Sequence, residues 1–375
     1  MSSNVSNKIN YLPTAPPPVP EDILEQDRDY FEQVVTTHLT PEQKERVLAA
    51  GQSYPFVKTV MAIHWHPEHI PMELITRRID SMFPNKKTEL IIPTQHNIIT
   101  DHNGYSGVEV DCYSGGFNQK VQLLLHFDSA RVERAHTLKK MLAHTFQYRS
   151  SQLFEFINTI DTPVEDRLQK AAKETGANEV LVEFVRSYVR KIRRLLEEKY
   201  DEISPMSIKN KLLRNFFDCL RNDYDDLLID RAQNFLTAVK KTVKENFSLK
   251  YFYRTSEIIE EARSVGAGIV IPHPEQFWPV LLADYDVDGI EVWNPQSQRY
   301  TDFLISIINK KNRESRYQDR ELLVFMGDDT HFGEKVKDPQ YQNQEKAARE
   351  VGLQPSWDDL EIQKNLIRGN FSKDR

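Results

Sequence analysis

Several things that mark large protein classes are scarce in this chain. Only two of its 375 residues are cysteine, Cys112 and Cys219, and they lie far apart. Two thiols in so long a chain make no disulfide framework, so a reducing, cytoplasmic compartment is expected. No apolar run is long enough to span a bilayer, so no membrane association is expected. The polar N-terminus lacks the hydrophobic core of a secretory signal. Positive charge is not in excess: 49 Lys and Arg face 56 Asp and Glu, for a net charge of −7 and a pI near 5.9. No global cationic field therefore draws in nucleic acid, which leaves a local basic cleft as the only such route. No internal repeat is found. The hydrophobic fraction of 39% and the mean hydropathy of −0.59 are modest, yet the length allows one large barrel or two medium domains.

What is present is a series of short apolar runs that empty into His, Asp or Glu. Gly268–Pro272 stops at His273-Pro274, Asp288–Trp293 follows, and Leu322–Met326 delivers Asp329-Thr330-His331. Such runs, alternating with plausible helices, read as parallel βα units, and in βα barrels the chemistry sits where strands exit at their C-terminal ends. Upstream, Phe56–Ile63 ends in His64-Trp65-His66, and Glu89–Pro93 empties into Thr94-Gln95-His96-Asn97 and then Thr100-Asp101-His102-Asn103. In an HxH at a strand end both rings point to one side, because side chains alternate with period two. Glu109 and Asp111 share a face for the same reason. His126 interrupts the run Lys120–Phe127, and by itself it reads as a hydrogen-bonded core histidine. Imidazole with carboxylate is the donor set expected for Zn²⁺ or a similar divalent ion. Most of these groups recur at strand ends, where chance would scatter eleven histidines over helices and loops as well.

The remainder frames these runs. Residues 1–20, rich in Ser, Asn and Pro, predict a disordered tail, and 21–55 predict helices, one opened by the capping box Thr40-Pro41-Glu42-Gln43. Pro71–Met82, a segment opened by Ser256 and ended at Gly266, and Arg299–Asn312 are further predicted helices. Residues 128–250 hold one glycine, Gly176, and two prolines, Pro163 and Pro205, and predict a large helical insertion. Within it Leu181, Phe184, Tyr188, Ile192 and Leu195 form one apolar stripe at helical spacing, which is core. Arg186, Arg190, Lys191, Arg193 and Arg194 form a basic run read first as a solvated helix face and second as a phosphate or nucleic-acid patch. Residues 56–127 and 251–335 form the two halves of the strand-rich part, and 336–375 predict C-terminal helices.

On these residues the chain resembles the polymerase and histidinol phosphatase (PHP) domain metallohydrolases. The likeness rests on His64-Trp65-His66, Thr100-Asp101-His102-Asn103, Gly107-Val108-Glu109, His126, His273-Pro274, Gly289-Ile290-Glu291-Val292-Trp293-Asn294 and Gly327-Asp328-Asp329-Thr330-His331-Phe332, over roughly 56–127 and 257–335. The resemblance implies an α/β fold, a distorted (β/α)7 barrel of PHP type carrying the helical insertion. It also implies two or three Zn, Mn or Fe ions held by His64, His66, Glu109, His126, His273, Asp329 and His331. The second motif stays open: literal matching picks His102, strand geometry picks His96. The first motif departs from the family in reading Pro67-Glu68-His69-Ile70, which leaves Glu68 or His69 to substitute or one metal site altered.

The implied activity is a metal-dependent phosphoesterase that hydrolyses a phosphate ester through metal-activated hydroxide. Asp329, His331 and His273 are the expected catalytic residues, and Arg299 and Lys335 the expected substrate-binding cations. Glu291 is read as a supporting or structural residue sharing a strand face with Trp293. A small phosphorylated molecule is the first expected substrate and nucleic acid the second. The rivals are an amidohydrolase-like hydrolase of C–N or C–O bonds and a degenerate scaffold whose helical insertion binds a partner.

Overall fold

A computed structural model of the chain describes residues 18–314 and 321–354. Most of the expected tail 1–20 and residues 355–375 of the expected C-terminal helices, Trp357 included, lie outside the described residues. The chain divides into two compact units, residues 1–37 with 149–247 and residues 38–148 with 248–375. The helical segment is thus shorter than 128–250 and takes in residues from the N-terminus.

The helical unit is built from helices Glu25–Val35, Tyr148–Asp161, Glu165–Thr175, Glu179–Lys199, Lys211–Cys219 and Asp226–Asn246. The predicted stripe Leu181, Phe184, Tyr188, Ile192 and Leu195 is buried with Phe156, Phe216 and Phe235 in one apolar cluster. Gly176 ends its helix in the left-handed region at φ +68°, the conformation a residue without Cβ adopts most cheaply. The basic run is consumed internally. Arg186 bonds Glu183, Arg190 and Arg193 bond Asp161, Arg194 donates to the Glu21 carbonyl, and buried Lys191 donates to Asp27 at 2.7 Å. These contacts favour the solvated helix face over a phosphate patch for the four arginines, while Lys191 departs from both readings by being buried in an ion pair.

The second unit is a mixed α/β body. Its strands are β1 Thr59–Ala62, β2 Trp65–His66, β3 Thr88–Ile91, β4 Thr100–His102, β5 Tyr105–Ser114, β6 Gln119–Asp128, β7 Gly268–Ile271, β8 Gly289–Trp293, β9 Leu323–Met326 and β10 Thr330–His331. β1 pairs with β3 and β2 with β10, both parallel, while β4 to β9 form one six-stranded sheet in chain order. That sheet is not made of parallel βα units throughout. β4, β5 and β6 are joined by tight turns, and β6 runs antiparallel to both β5 and β7. The first turn, Asn103-Gly104, has φ of +48° and +83°, both on the positive side that a two-residue hairpin of this twist needs. Only β7, β8 and β9 pair in parallel within this sheet.

Main-chain hydrogen bonds also leave the named strands. Ile92 and Thr94 donate to the carbonyls of Ala62 and Trp65, Glu109 donates to Gln95, and Asn97 donates to Glu109. Gly327 donates to the Trp293 carbonyl and Asp329 to that of His64. Pairing thus passes from 62–65 through 92–97 to β5, along β6, β7, β8 and β9, and back to β2. Apolar side chains of β5 to β9 and of helices His136–Phe146, Thr255–Ser264 and Thr301–Glu314 form a second core. Trp65, Phe332 and helix Met72–Met82 belong to a third. Helix Thr255–Ser264 is capped at Arg254, two residues before the predicted cap Ser256: the N–H of Arg254 is taken by Glu257. No helix among the described residues is long and apolar enough to cross a membrane.

Candidate metal centre

The strand alternation places Trp65 in apolar packing against Phe332, ring centroids 5.8 Å apart, and turns His64 and His66 the other way. The His66 ring lies between those of His96 and His331, at 4.5 and 4.3 Å, and the His64 ring is 5.4 Å from that of His273. Two carboxylates complete the group. Glu109 Oε2 is 2.7 Å from His96 Nδ1, and its Oε1 is 3.2 Å from His273 Nε2 and 3.8 Å from His64 Nε2. Asp329 Oδ1 lies 3.2 Å from His331 Nε2, 3.4 Å from His66 Nε2 and 3.7 Å from His64 Nε2.

Three overlapping triads result: His66, His96 and His331; His64, His66 and Asp329; His64, Glu109 and His273. In each, the donor atoms lie within 4.8 Å of one another and could hold a metal ion. Buried polar atoms normally find partners, yet His64 Nε2, both ring nitrogens of His66 and His273 Nδ1 have no hydrogen-bond partner among the described residues. Burial and neighbouring imidazoles push His66 down to about 3, which keeps the ring neutral with one nitrogen lone pair available to a cation. Although burial opposes the charged form, the surrounding imidazoles hold Glu109 and Asp329 well below the usual carboxylate range. A set of imidazoles and carboxylates is compatible with divalent metal ions.

The imidazoles are aimed from behind. His64 Nδ1 donates to Glu291 Oε2 at 2.6 Å, which points Nε2 into the cluster. Despite the cost of burial, that carboxylate raises His64 to about 10 in the ion-free fold. Glu291 also accepts from the His273 N–H and the Asn294 amide. Gly327 makes this arrangement possible, because a Cβ there would run into the Glu291 carboxylate and His64. Glu291 and Trp293 do not share a face, against the period-two expectation: a β-bulge between them turns Trp293 into the apolar core. His273 and Asp329 have φ of +27° and +46°, unusual for residues with a Cβ and tolerated where the surroundings enforce them.

His96, not His102, joins the cluster. His102 is paired with Tyr105 beside the hairpin turn, half-buried near Lys86, Glu89 and Asp80. Its distance from the cluster follows from the Asn103-Gly104 turn, which the literal T-D-H-N match ignores. His126 lies in none of the three triads. Its Nε2 donates to the Ile63 carbonyl at 2.8 Å, and burial lowers it to about 4, so it braces the main chain ahead of His64. Lys335 is buried, and its ammonium donates to the carbonyls of Ala347 and Arg349 and to Glu350, leaving no donor for a phosphate. Arg299 is exposed, with its guanidinium 4.6 Å above the Tyr300 ring, in none of the contacts of the cluster. Sequence reasoning missed Arg349 and Gln296, which donate to Asp329 Oδ2 at 2.8 and 2.9 Å. Gln296, three residues past β8, is neither imidazole nor carboxylate, and Arg349 lies far beyond the last strand, so a search for metal-ligand types at strand ends passes over both. Glu68, weighed as a substitute ligand, has Oε1 4.0 Å from His331 Nδ1.

No family model and no curated protein matches the chain. Among solved structures it is similar to a Bifidobacterium adolescentis protein provisionally described as a metal-dependent phosphoesterase, with 16% identity over 84% of this chain and 98% of that one and a TM-score of 0.38. So distant a likeness fixes neither fold nor activity here.

Proposed function

We propose that the chain is a metal-dependent phosphoesterase of PHP type acting on a small phosphorylated molecule. The observation that carries this is the convergence of five imidazoles and two carboxylates, with unpartnered buried donor atoms, in three overlapping triads. The cyclic order of main-chain pairing supports a distorted seven-stave barrel, with Glu109 inside antiparallel β5 and the other ligands at or just past strand ends.

The donor set favours a phosphate over a neutral amide. Two carboxylates do not neutralise two or three divalent ions, so the loaded centre is cationic and suits an anionic phosphoryl group. When bound, the ions supply Lewis acidity and charge neutralisation. The chain's own part is orientation and proton handling. Glu291 fixes the His64 tautomer, Glu109 spans His96 and His273, and Asp329 spans His64, His66 and His331. His96 and His331 keep side-chain exposures of 30% and 21% while the other imidazoles of the cluster are buried, so the substrate approaches over this pair. His331, at hydrogen-bonding distance from Asp329, is then the group placed to return a proton to the leaving alkoxide. A helical unit whose basic run is internally paired gives no independent support for a nucleic-acid substrate.

Elemental analysis of the purified full-length chain, followed by turnover of p-nitrophenyl phosphate against amide and lactone substrates, tests the proposal. Two or three bound transition ions with phosphate-ester turnover are expected. A protein free of ions, or one that cleaves only amides or lactones, overturns it.

A further inference from the structure

We propose that Arg349 is a positioning residue of the centre, one that turns Asp329 so that Oδ1 alone faces the imidazoles; this rests on the metal-centre reading above. The Arg349 side chain is 4% exposed, and its Nη1 donates both to Asp329 Oδ2 at 2.8 Å and to the Asp329 carbonyl at 3.1 Å. Gln296 occupies the same Oδ2 from a different element, at 2.9 Å. With one oxygen doubly held, the carboxylate has one left for His64, His66 and His331, all of which approach Oδ1. The main-chain contact matters as much. Asp329 sits at φ +46°, a conformation an L residue rarely adopts, and a buried guanidinium bonded to its carbonyl and side chain together holds it there.

Arg349 is itself held rigidly. Lys335 donates to its carbonyl at 2.7 Å, Arg78 forks onto Glu350, the Gly352 N–H reaches Asp328 at 2.9 Å, and Gln354 donates to the Met326 carbonyl at 2.9 Å. Residues 349–354 thus form a strap tied to strand β9 and to Asp328, the residue before the ligand. Burial and these commitments exclude Arg349 from gripping a substrate phosphate. Its role is exerted through Asp329, on the ion shared with His64 and His66.

The test is titration of metal-free full-length protein with Mn²⁺ and with Zn²⁺, read by calorimetry and elemental analysis. Arg349→Gln is expected to weaken the affinity for one ion by about 10- to 100-fold, the range for outer partners of metal ligands. Arg349→Lys, which keeps the charge and a donor, is expected to recover part of it, a rescue that loss of packing alone does not give. Arg349→Gln protein that loads as the wild type does overturns this inference alone. Wild-type protein that takes up no ion overturns both it and the proposed function. Should Arg349→Gln fail to fold, Arg349→Lys decides: folded protein that loads one ion more weakly than the wild type supports control of Asp329 by the guanidinium, and wild-type loading overturns it.

Discussion

Lys191 in the helical unit and His64 in the sheet unit are both buried ionisable side chains, and they are treated in opposite ways. The Lys191 ammonium meets Asp27 at 2.7 Å and lies 5.3 Å from the Tyr188 ring centre. His64 has one nitrogen bound to Glu291 and the other left without a partner among the described residues. All eleven histidines lie outside residues 1–37 and 149–247, so the helical unit has none of the imidazoles that make the cluster. Its core is an apolar packing problem, whereas the sheet unit gives up stability to hold unpaired donors that converge. Unsatisfied buried atoms cost folding free energy and persist where something else is to be bound.

The largest effect that would sharpen this contrast is expected from Glu109→Gln. Glu109 contacts His96, His273, His64 and His66, so the variant is expected to lose bound metal and more than about 100-fold of phosphate-ester turnover, exceeding what loss of an outer partner costs. Full metal content with wild-type turnover would break the comparison. In the helical unit, Phe216→Ala is expected to cost about 3–5 kcal/mol in stability by leaving a cavity, while the ion count of the folded protein stays unchanged. Loss of ions from folded Phe216→Ala protein would show that the units are not separable in this sense.

Lys191→Met strands Asp27 and is expected to cost about 3–5 kcal/mol, most of it restored by adding Asp27→Leu. Equal stability of the single and double variants in urea unfolding would show that the pair is not acting as a pair. Acid acts on individual buried groups of the sheet unit in defined and opposite directions. His126 and His66 are lowered to about 4 and about 3, so each contributes stability present above the unfolded value near 6.5 and lost as pH falls towards the folded one. His64, raised to about 10, works the other way, its contribution being full below about 6.5 and lost as pH rises from there through about 10. Asp328, raised to about 7 by burial, likewise favours the fold at lower pH, so one group is singled out: metal-free His126→Gln protein is expected to lose less stability between pH 7.5 and pH 5 than the wild type does. The same pH dependence in His126→Gln and wild-type protein would contradict this. The smallest effect is expected from Arg190→Gln, on a half-exposed pair: under about 1 kcal/mol in stability and no change in KM for a phosphate ester. A raised KM would revive the phosphate-patch reading.

Much of the cluster was legible because strands carry a period of two. His64-Trp65-His66 followed that rule, with Trp65 turned into the core. Where alternation broke, inference broke with it. The bulge after Glu291 separated it from Trp293, and the hairpin at Asn103-Gly104 carried His102 away while His96 stayed. The turn had a readable signal in the Asn-Gly dipeptide between two apolar runs. Lys335 gave no warning, since a lysine near a strand end looks alike whether it faces solvent or is tied down by a later segment.

The sequence by itself marked the main apolar strand runs and helical stretches, which helix face is apolar, and that imidazoles gather near strand ends, because these follow from local periodicity. Only the tertiary structure decided which of those groups meet, since residues 64, 96, 109, 273 and 329 are brought together by pairing between distant strands. It also decided that Arg349 reaches Asp329 and that Lys335 is bound up elsewhere, contacts that depend on where the chain returns after its last strand and leave no mark on local pattern.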